Sequence, residues 1–215
     1  MRTLVIGNKT YSSWSLRPWL FMRHFDVEFD EIVLPLDTPE YFRRIPDYSP
    51  TGRVPVLLVD GDRVWDSLAI CETVNERWLG GRGWPADPRA RAAARSAACE
   101  MHSGFAALRA QMPMNCKREP RAPHWDEAAS RDIARVEAIW RELRGRFGGD
   151  AGFLCGDFGI VDAMFAPVCI RLRGYGPPIA EDSRDYLARV LDLPAMREWQ
   201  AAAEAEPARV EADEA

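Results

Sequence analysis

The sequence predicts two units of different fold class, a mixed α/β unit over residues 1–79 and an all-helical unit over residues 88–215. Three observations carry this prediction. Short apolar runs alternate with helical patterns up to residue 79, Gly and Pro are dense just after it, and no strand pattern follows. A chain of 215 residues is long enough to bury an apolar core without a metal or a disulfide.

The first unit is predicted to follow the order β-α-β-α-β-β-α. Leu4, Val5 and Ile6 form an apolar run that ends at a Gly-Asn turn, which is typical of a buried strand. Asp60-Gly61 separates two further apolar runs and is a strong hairpin signal. A parallel βαβ unit followed by a hairpin and a helix resembles the thioredoxin-like layout. The other predicted elements are helices over residues 16–25, 39–45 and 67–79 and a strand over residues 28–34.

Gly and Pro are dense in residues 80–85, Gly-Gly-Arg-Gly-Trp-Pro, which predicts a linker. Their glycines could also suggest a phosphate-binding loop, but no Lys-Ser/Thr pair follows them. The acidic last residues, 206–215, are predicted to fray. Helices are predicted over residues 89–112, 125–147, 160–172, 183–191 and 194–206, the third of them buried on most faces.

The composition excludes several classes of protein. The net charge is −5 and the basic residues form no stripe, so no nucleic-acid partner is expected. No apolar run approaches the ~20 residues of a membrane span, and the first apolar stretch is too short for a signal peptide, so no membrane partner is expected. Five widely spaced cysteines without a C-x-x-C pair indicate free thiols in a cytoplasmic protein. His24, His102 and His124 show no zinc spacing, so no metal is expected.

Three serines lie at the start of the first predicted helix. A cap at Ser15 would place Pro18 in the first turn, where its missing N–H does no harm. Ser12 and Ser13 are then left upstream of the cap, and a hydroxyl beside a helix N-terminus can donate to an anion. The alternative is that these hydroxyls only cap the helix.

Two further segments could bind a ligand. The Val54–Pro55 bond opens a strand, and in the cis form it would expose the Val54 backbone to an extended peptide, whereas a trans bond would be an ordinary strand start. Asp66-Ser67 precedes a helix. Ser67 is a good cap, but a helix N-terminus with a free hydroxyl also binds a carboxylate, and Asp66 could bind an ammonium group. An amino-acid head group would satisfy both.

The order of these three segments, Ser-Ser-x-Ser, then Arg-Val-Pro, then Asp-Ser, resembles that of the cytosolic glutathione S-transferases, and the likeness extends over nearly the whole chain. Residues 156–163, Gly-Asp-Phe-Gly-Ile-Val-Asp-Ala, are similar to the capping region of that family's C-terminal domain. The closest classes are the bacterial serine-type enzymes and the zeta class, whose fingerprint is Ser-Ser-Cys-Ser.

The resemblance implies a thioredoxin-like domain followed by an all-helical domain, glutathione as co-substrate, no metal and a homodimer. Ser12 aligns with the catalytic serine or cysteine, and Ser13 is its nearest competitor. Asp162 would be the N3 partner of a helix-capping box. The implied glutathione contacts are Ser15, the Val54–Pro55 backbone for the cysteinyl residue, and Asp66 and Ser67 for the γ-glutamyl head.

The sequence departs from the family pattern at two positions, and one alternative catalyst is discounted. Trp14 stands where the zeta class has a cysteine, which weakens an isomerase assignment. Gly159 replaces the usual Ser or Thr of the capping box. Tyr11 is discounted as a tyrosine-class catalyst, because that tyrosine normally lies closer to the first strand.

The resemblance places a pocket for a small hydrophobic electrophile between the two domains. Candidates for it are His102 and Arg109, whereas Met101 and Phe105 are better explained as core packing. Periodicity does not settle whether Arg109 points inward. Three functions remain open: a glutathione transferase, a zeta-like glutathione-dependent isomerase, and a non-catalytic glutathione- or ligand-binding protein.

Overall fold

The computed structural model of the protein describes residues 2–120 and 125–214, and His124 lies outside these ranges. A four-stranded sheet with the spatial order β2-β1-β3-β4 forms the first half. Strand β1 pairs in parallel with β2 and antiparallel with β3, which pairs antiparallel with β4. The predicted α/β layout is therefore confirmed. Its elements are β1 (Arg2–Ile6), α1 (Ser13–His24), β2 (Asp30–Val33), α2 (Pro39–Tyr48), β3 (Val56–Val59), β4 (Asp62–Trp65) and α3 (Ser67–Trp78).

The rest of the described chain is helical, and one predicted helix is broken in two. Residues 89–112 were expected to be continuous, but a kink separates two helices, because Phe105 adopts a left-handed conformation with φ 62°. Among the described residues, none of the helices is both long and apolar enough to cross a bilayer. The helices are α4 (Pro88–Ser103), α5 (Ala106–Gln111), α6 (Glu127–Phe147), α7 (Ile160–Tyr175), α8 (Glu181–Leu191) and α9 (Pro194–Ala205), followed by a 3₁₀ turn at Glu211–Asp213.

Helix α7 lies at the centre of the core. Nearly all of its side chains are buried, and it packs against α1 and α3 of the first half and against α4 and α8 of the second. A single apolar cluster consequently runs through both halves of the chain. This continuity holds the N-terminus of α1 in a fixed position relative to α4, α5 and α7, which determines the shape of the space between them.

The predicted start of α1 is wrong by three residues. Ser12, rather than Ser15, is the N-cap, since its Oγ accepts a hydrogen bond from the Ser15 N–H at 3.4 Å. Pro18 therefore lies inside the helix, where it cannot donate to the carbonyl of Trp14. Ser15 is buried instead, and its Oγ accepts a bond from the Gly7 N–H at 3.1 Å. The sequence does not single out Ser12, because the hydroxyl of each serine in this segment is an acceptable N-cap for α1.

The linker is packed rather than loose. The Gly83 N–H donates to Asn75 Oδ1 at 2.7 Å, and the Gly83 carbonyl accepts the Ile160 N–H at 2.9 Å, so the linker joins α3 to the start of α7. The same carbonyl explains why residue 159 is a glycine. A Cβ on Gly159 would lie 2.8 Å from the Gly83 oxygen, closer than a carbon and an oxygen approach without strain.

We therefore expect Gly159→Ser, which would complete the capping box, to destabilise the protein. The added cap is worth ~1 kcal/mol, but overlap with a hydrogen-bonded backbone carbonyl costs typically ~1–3 kcal/mol. Urea unfolding of the variant should show a lower midpoint. Gly145→Ala in α6 is the matched control, because nothing lies near its new Cβ and the helix should gain stability. A Gly159→Ser protein more stable than the wild type would contradict this explanation.

Candidate active site

Two adjoining cavities of about 310 Å³ each lie between the sheet end of the first half and the helices of the second. Trp14, Arg53 and Val54 line both. A larger cavity of about 860 Å³ surrounds residues 24, 84 and 158, and it contains none of the predicted site residues. What we call the first cavity is also lined by Pro55, Asp66, Ser67 and His102, and the second cavity by Ser12, Ser13, Arg109, Arg171 and Asp213.

The Val54–Pro55 bond is cis and lies in the wall of the first cavity. The trans alternative considered from the sequence is therefore wrong. Tyr41 steadies the loop before the bond by donating its hydroxyl to the Gly52 carbonyl at 3.1 Å. The backbone at residue 54 is left at the cavity wall, where an extended peptide has access to it.

Asp66, and not Ser67, is the N-cap of α3. One of its carboxylate oxygens accepts bonds from the N–H groups of Leu68 and Ala69, at 2.9 and 3.3 Å, and its φ is 76°. The other oxygen lies 3.0 Å from Nε2 of His102. The sequence associated His102 with the electrophile pocket, but the structure places it in the first cavity, because α4 brings it opposite the start of α3.

Ser67 is buried beside an arginine that the sequence analysis missed. Its Oγ accepts a bond of 3.4 Å from Nη1 of Arg17, whose side chain has no exposed surface. The Nε and Nη2 atoms of Arg17 have no hydrogen-bond partner in the described part of the chain. Its guanidinium lies 4.2 Å from the centre of the Trp14 ring. The only sequence signal was an arginine on a helix whose neighbouring residues are almost all apolar.

The charge of Arg17 is poorly compensated. Burial lowers its pKa well below the usual value, and the positive charges of Arg109 and Arg171 lower it further, while Cys71 and Asp66 act in the opposite direction. A buried cation with unused N–H groups is stabilised by an incoming anion. The place where that anion would lie is next to Ser67, in the first cavity.

The two candidate serines differ in their hydrogen bonds. Ser12 donates its hydroxyl to Ser15 Oγ at 2.7 Å. Ser13 is the first residue of α1, and its hydroxyl has no hydrogen bond within the described residues. Both serines are buried at the wall of the second cavity, and the structure therefore brings them together with Val54.

Arg109 and Arg171 line the second cavity and are held by backbone carbonyls. Arg109 Nε donates to Gly104 at 2.9 Å, and its Nη2 donates to Met101. Arg171 donates to the carbonyls of Met112 and Arg109. Burial and then the charge of Arg109 lower the pKa of Arg171 to about 10. Arg109 thus points inward, a question that periodicity had left open.

The C-terminal segment was predicted to fray, but it docks beside the second cavity. Glu206 accepts bonds from the N–H groups of Lys9 and Thr10, at 2.7 and 2.9 Å. Glu214 accepts the Tyr11 hydroxyl at 2.5 Å. Burial and this carboxylate raise the pKa of Tyr11 to about 12, which argues against Tyr11 as an acid or base near neutral pH. The acidic residues are anchors, so the prediction of fraying is wrong for this part of the segment.

The cysteine, histidine and acidic side chains are the other groups that could carry chemistry. The five cysteines are free, as predicted. Within residues 2–120 and 125–214, no group of three or more His, Cys, Asp or Glu side chains is arranged to hold a metal ion. His102 and Asp66 form the one histidine–carboxylate contact recorded there.

Comparison with known proteins gives the family of this chain. Two family models match, "Glutathione S-transferase, N-terminal domain" over residues 11–77 and "Glutathione S-transferase, C-terminal domain" over residues 126–202. Together they cover about two thirds of the chain. Both halves of the molecule are thus recognised separately and in the order of their domains.

Curated relatives match over shorter stretches. A dichloromethane dehalogenase of Methylorubrum extorquens is 44% identical over 69 residues, which are 30% of this chain and 23% of the relative. A probable maleylacetoacetate isomerase of Caenorhabditis elegans is 31% identical over 96 residues, 45% of this chain and 44% of the relative. The chain spans less than half the length of these curated relatives.

Solved structures match over almost the whole chain. A glutathione transferase homologue from Burkholderia with bound glutathione has a TM-score of 0.72 at 22% identity, covering 94% of this chain and 98% of that one. A diazinon-metabolizing glutathione S-transferase of the silkworm Bombyx mori has a TM-score of 0.73 at 15% identity, covering 94% and 97%. These likenesses establish the fold. The chain belongs to the glutathione S-transferase family.

Proposed function

We propose that the protein is a glutathione transferase that binds glutathione along the first cavity and holds its sulfur, as a thiolate, at the N-terminus of α1. One observation carries this proposal. The cis Val54–Pro55 bond and the Asp66-Ser67 pair line one cavity, and that cavity adjoins Ser12 and Ser13 in the next.

The chemistry of glutathione fits this arrangement from end to end. The backbone at Val54 pairs with the cysteinyl residue, as an added strand would. The γ-glutamyl carboxylate binds at Ser67 and the start of α3, with the positive charge of Arg17 behind it. The ammonium group binds the Asp66 carboxylate oxygen that now faces His102. The sulfur then lies beside Ser12 and Ser13.

The thiolate can be stabilised without a general base or a metal. A thiol of pKa ~8.5 becomes mostly ionised at neutral pH if its pKa falls by ~2 units, which requires ~2.7 kcal/mol. A helix N-terminus supplies ~0.3–1 kcal/mol, and up to ~2 kcal/mol in a partly buried site. A hydrogen bond to a charged group adds ~1.5–3 kcal/mol. The helix and one serine hydroxyl together are sufficient.

Ser12 is the stronger candidate for that hydroxyl because Ser15 supports it. Ser15 Oγ accepts the Gly7 N–H, so its own proton can turn towards Ser12 and release the Ser12 proton for the sulfur. Such a chain of hydrogen bonds strengthens the terminal donor. Ser13 lacks a comparable supporting group among the described residues.

We expect Ser12→Gly to raise the pH midpoint of thiolate formation by one unit or more, since ~1.5–3 kcal/mol corresponds to roughly 1–2 pKa units. Glycine is chosen because it keeps most of the N-cap stability, which alanine would remove. The measurement is an ultraviolet thiolate titration of the glutathione complex, with glutathione affinity measured by calorimetry. Ser13→Ala is the matched comparison. If Ser13→Ala shifts the midpoint more, Ser13 is the donor; if neither variant shifts it, neither serine hydroxyl stabilises the thiolate.

Two observations bear on the second substrate. The dehalogenase relatives favour displacement of halide from a halogenated electrophile, and the isomerase relative favours the zeta-like alternative. Trp14 in place of the fingerprint cysteine argues against the isomerase. Turnover of a chlorinated nitrobenzene, measured beside isomerisation of a maleyl ester, separates these activities. Retention on immobilised glutathione without either activity would indicate a binding protein.

The proposal includes a cytoplasmic homodimer with its domain boundary between residues 79 and 88. Phe42 on α2 is 64% exposed in the single chain, and contact with a second copy would cover it. A role in detoxification follows from a transferase with a broad electrophile range, and it remains a prediction.

A further inference from the structure

The second cavity carries an excess of positive charge. Arg53, Arg109 and Arg171 line it, and Asp213 is the single acidic residue among its lining residues. The chain as a whole has a net charge of −5, so this cavity opposes the sign of the molecule. A cationic cavity in an anionic protein concentrates an anionic ligand at that place.

Within the described residues, Arg109 and Arg171 are positioned by hydrogen bonds to the backbone and not by ion pairs. Neither arginine has a carboxylate within salt-bridge distance in the described ranges. Their hydrogen bonds go to backbone carbonyls, which fix the guanidinium groups without neutralising them. Arg171 is only 5% exposed and is close enough to Arg109 for the two charges to repel. A structural role in packing would not require a buried cation beside a half-buried one.

The protein's own C-terminal segment shows which group the cavity accepts. Asp213 is half-buried in it, held there by the anchoring of Glu206 and Glu214 on either side. Burial raises the pKa of Asp213, and the positive charge of Arg171 acts to lower it. A carboxylate therefore already lies in the field of these arginines, although no direct ion pair forms.

We propose that the second substrate carries a carboxylate, which binds Arg171 and Arg109 in place of Asp213 and directs the electrophilic carbon towards the sulfur at Ser12. This inference rests on the proposed function and narrows its substrate class from hydrophobic to anionic electrophiles. For an aryl chloride, the thiolate sulfur bonds to the ring carbon, the C–Cl bond breaks, and chloride leaves with the electron pair. The thiol proton has already passed to solvent when the thiolate formed.

The two carboxylates of glutathione do not account for these arginines. The γ-glutamyl carboxylate is assigned to Ser67, which lines the first cavity only. Arg53 lines both cavities and is placed to meet the glycyl carboxylate beyond Val54. Arg109 and Arg171 line the second cavity alone, so neither the γ-glutamyl nor the glycyl carboxylate, as assigned, reaches them.

The test compares two electrophiles that differ in one charge, a chloronitrobenzoate and the matching chloronitrobenzamide, with the full-length protein and saturating glutathione. The readout is the ratio of kcat/KM for the benzoate to that for the benzamide. We expect Arg171→Gln and Arg109→Gln each to lower this ratio at least about tenfold, because each removes a charge-assisted hydrogen bond. Asp213→Asn should raise the ratio, since it removes the competing carboxylate. Arg131→Gln removes an exposed charge outside both cavities and is the control.

The outcomes separate this inference from the proposed function. Turnover of both substrates with the same ratio in Arg171→Gln, Arg109→Gln and Arg131→Gln would overturn the inference and leave the transferase intact. Absence of glutathione-dependent turnover of both substrates by the wild type would overturn the proposed function and, with it, the inference. If Arg171→Gln does not fold, Arg109→Gln and Asp213→Asn decide: opposite shifts of the ratio support the carboxylate site, and no shift in either rejects it.

Discussion

Replacing Asp162 by alanine is expected to lower the free energy of unfolding by more than about 3 kcal/mol, because three buried donors lose their acceptor at once. The Asp162 carboxylate has no exposed surface and accepts the N–H groups of Leu154 and Gly159 and the hydroxyl of Tyr186, each at 3.0 Å. An unsatisfied buried donor costs ~1–3 kcal/mol. The three bonds join the loop before α7, the start of α7 and α8, so their loss affects the centre of the core.

Chemical denaturation measures this effect, and an exposed acid supplies the control. Glu127 lies in the first turn of α6 with its side chain 87% exposed, and Glu127→Ala should change the unfolding midpoint very little. Asp162→Ala with no greater loss than Glu127→Ala would show that the network is not stabilising. Asp162→Asn should fall between the two, because an amide oxygen can accept some of these bonds but its NH₂ cannot.

The same residue gives a pH dependence with a definite sign. Burial raises the pKa of Asp162 to about 6 from its ordinary 3.8, with the three hydrogen bonds acting in the opposite direction. The folded state therefore binds a proton more tightly than the unfolded chain does, and this contribution to stability is lost as the pH rises from about 4 to about 6. Relative to Asp162→Asn, the wild type should become less stable over this window. A difference that is flat with pH would contradict the assignment.

The elements that the sequence predicted correctly depend on local signals. The Asp60-Gly61 turn, the apolar run at Leu4 and the apolar length of α7 can each be read within a few residues. The site segments were located in the same way, because a proline before a strand and an acid before a helix are local features. The family resemblance ordered them into one site, and the fold brings Val54, Pro55 and Ser67 to one cavity.

The features that the sequence did not reveal depend on contacts between distant residues. In the sequence, Gly159 reads as a missing helix cap. The structure shows that the Gly83 carbonyl leaves no room for a side chain there. The composition of the acidic C-terminal segment predicts fraying, and only the fold shows Glu206 bonded to the turn before α1. Gly104 ends α4 and precedes the left-handed Phe105 that divides α4 from α5, but a single glycine inside a helical pattern does not by itself predict a break. Arg17 belongs to the same class, since only the packed structure shows that it is buried and nearly unpartnered.

Arg17→Met is expected to make the glutathione-free protein more stable and glutathione binding weaker. A buried charge without a counter-ion costs several kcal/mol, and well-packed apolar replacements of buried charged groups are often stabilising by ~1–4 kcal/mol. The cation–π contact with Trp14 offsets part of that cost, typically by ~0.5–2 kcal/mol. We therefore expect a gain of about 1–2 kcal/mol in the free energy of unfolding.

The cost of Arg17 makes sense if the ligand uses its charge. When the γ-glutamyl carboxylate binds at Ser67, the guanidinium behind it gains a counter-ion and its Nη1 bond to Ser67 Oγ is strengthened. Removing the charge should weaken glutathione binding at least about tenfold, the equivalent of one charge-assisted hydrogen bond. Calorimetry with glutathione and urea unfolding without it measure the two effects on the same samples.

Arg23→Met on the same helix is the control, because Arg23 is already paired with Glu31 and Glu198 and contributes to neither cavity. That variant should lose a little stability and bind glutathione normally. Arg17 and Arg23 lie about one and a half turns apart on α1, and we expect the same substitution to change the stability in opposite directions at the two positions. Loss of stability in Arg17→Met with unchanged glutathione affinity would show that Arg17 supports the fold and does not serve the ligand. The free energy that the buried, unpaired charge of Arg17 costs in the glutathione-free protein is recovered when an anion binds beside it.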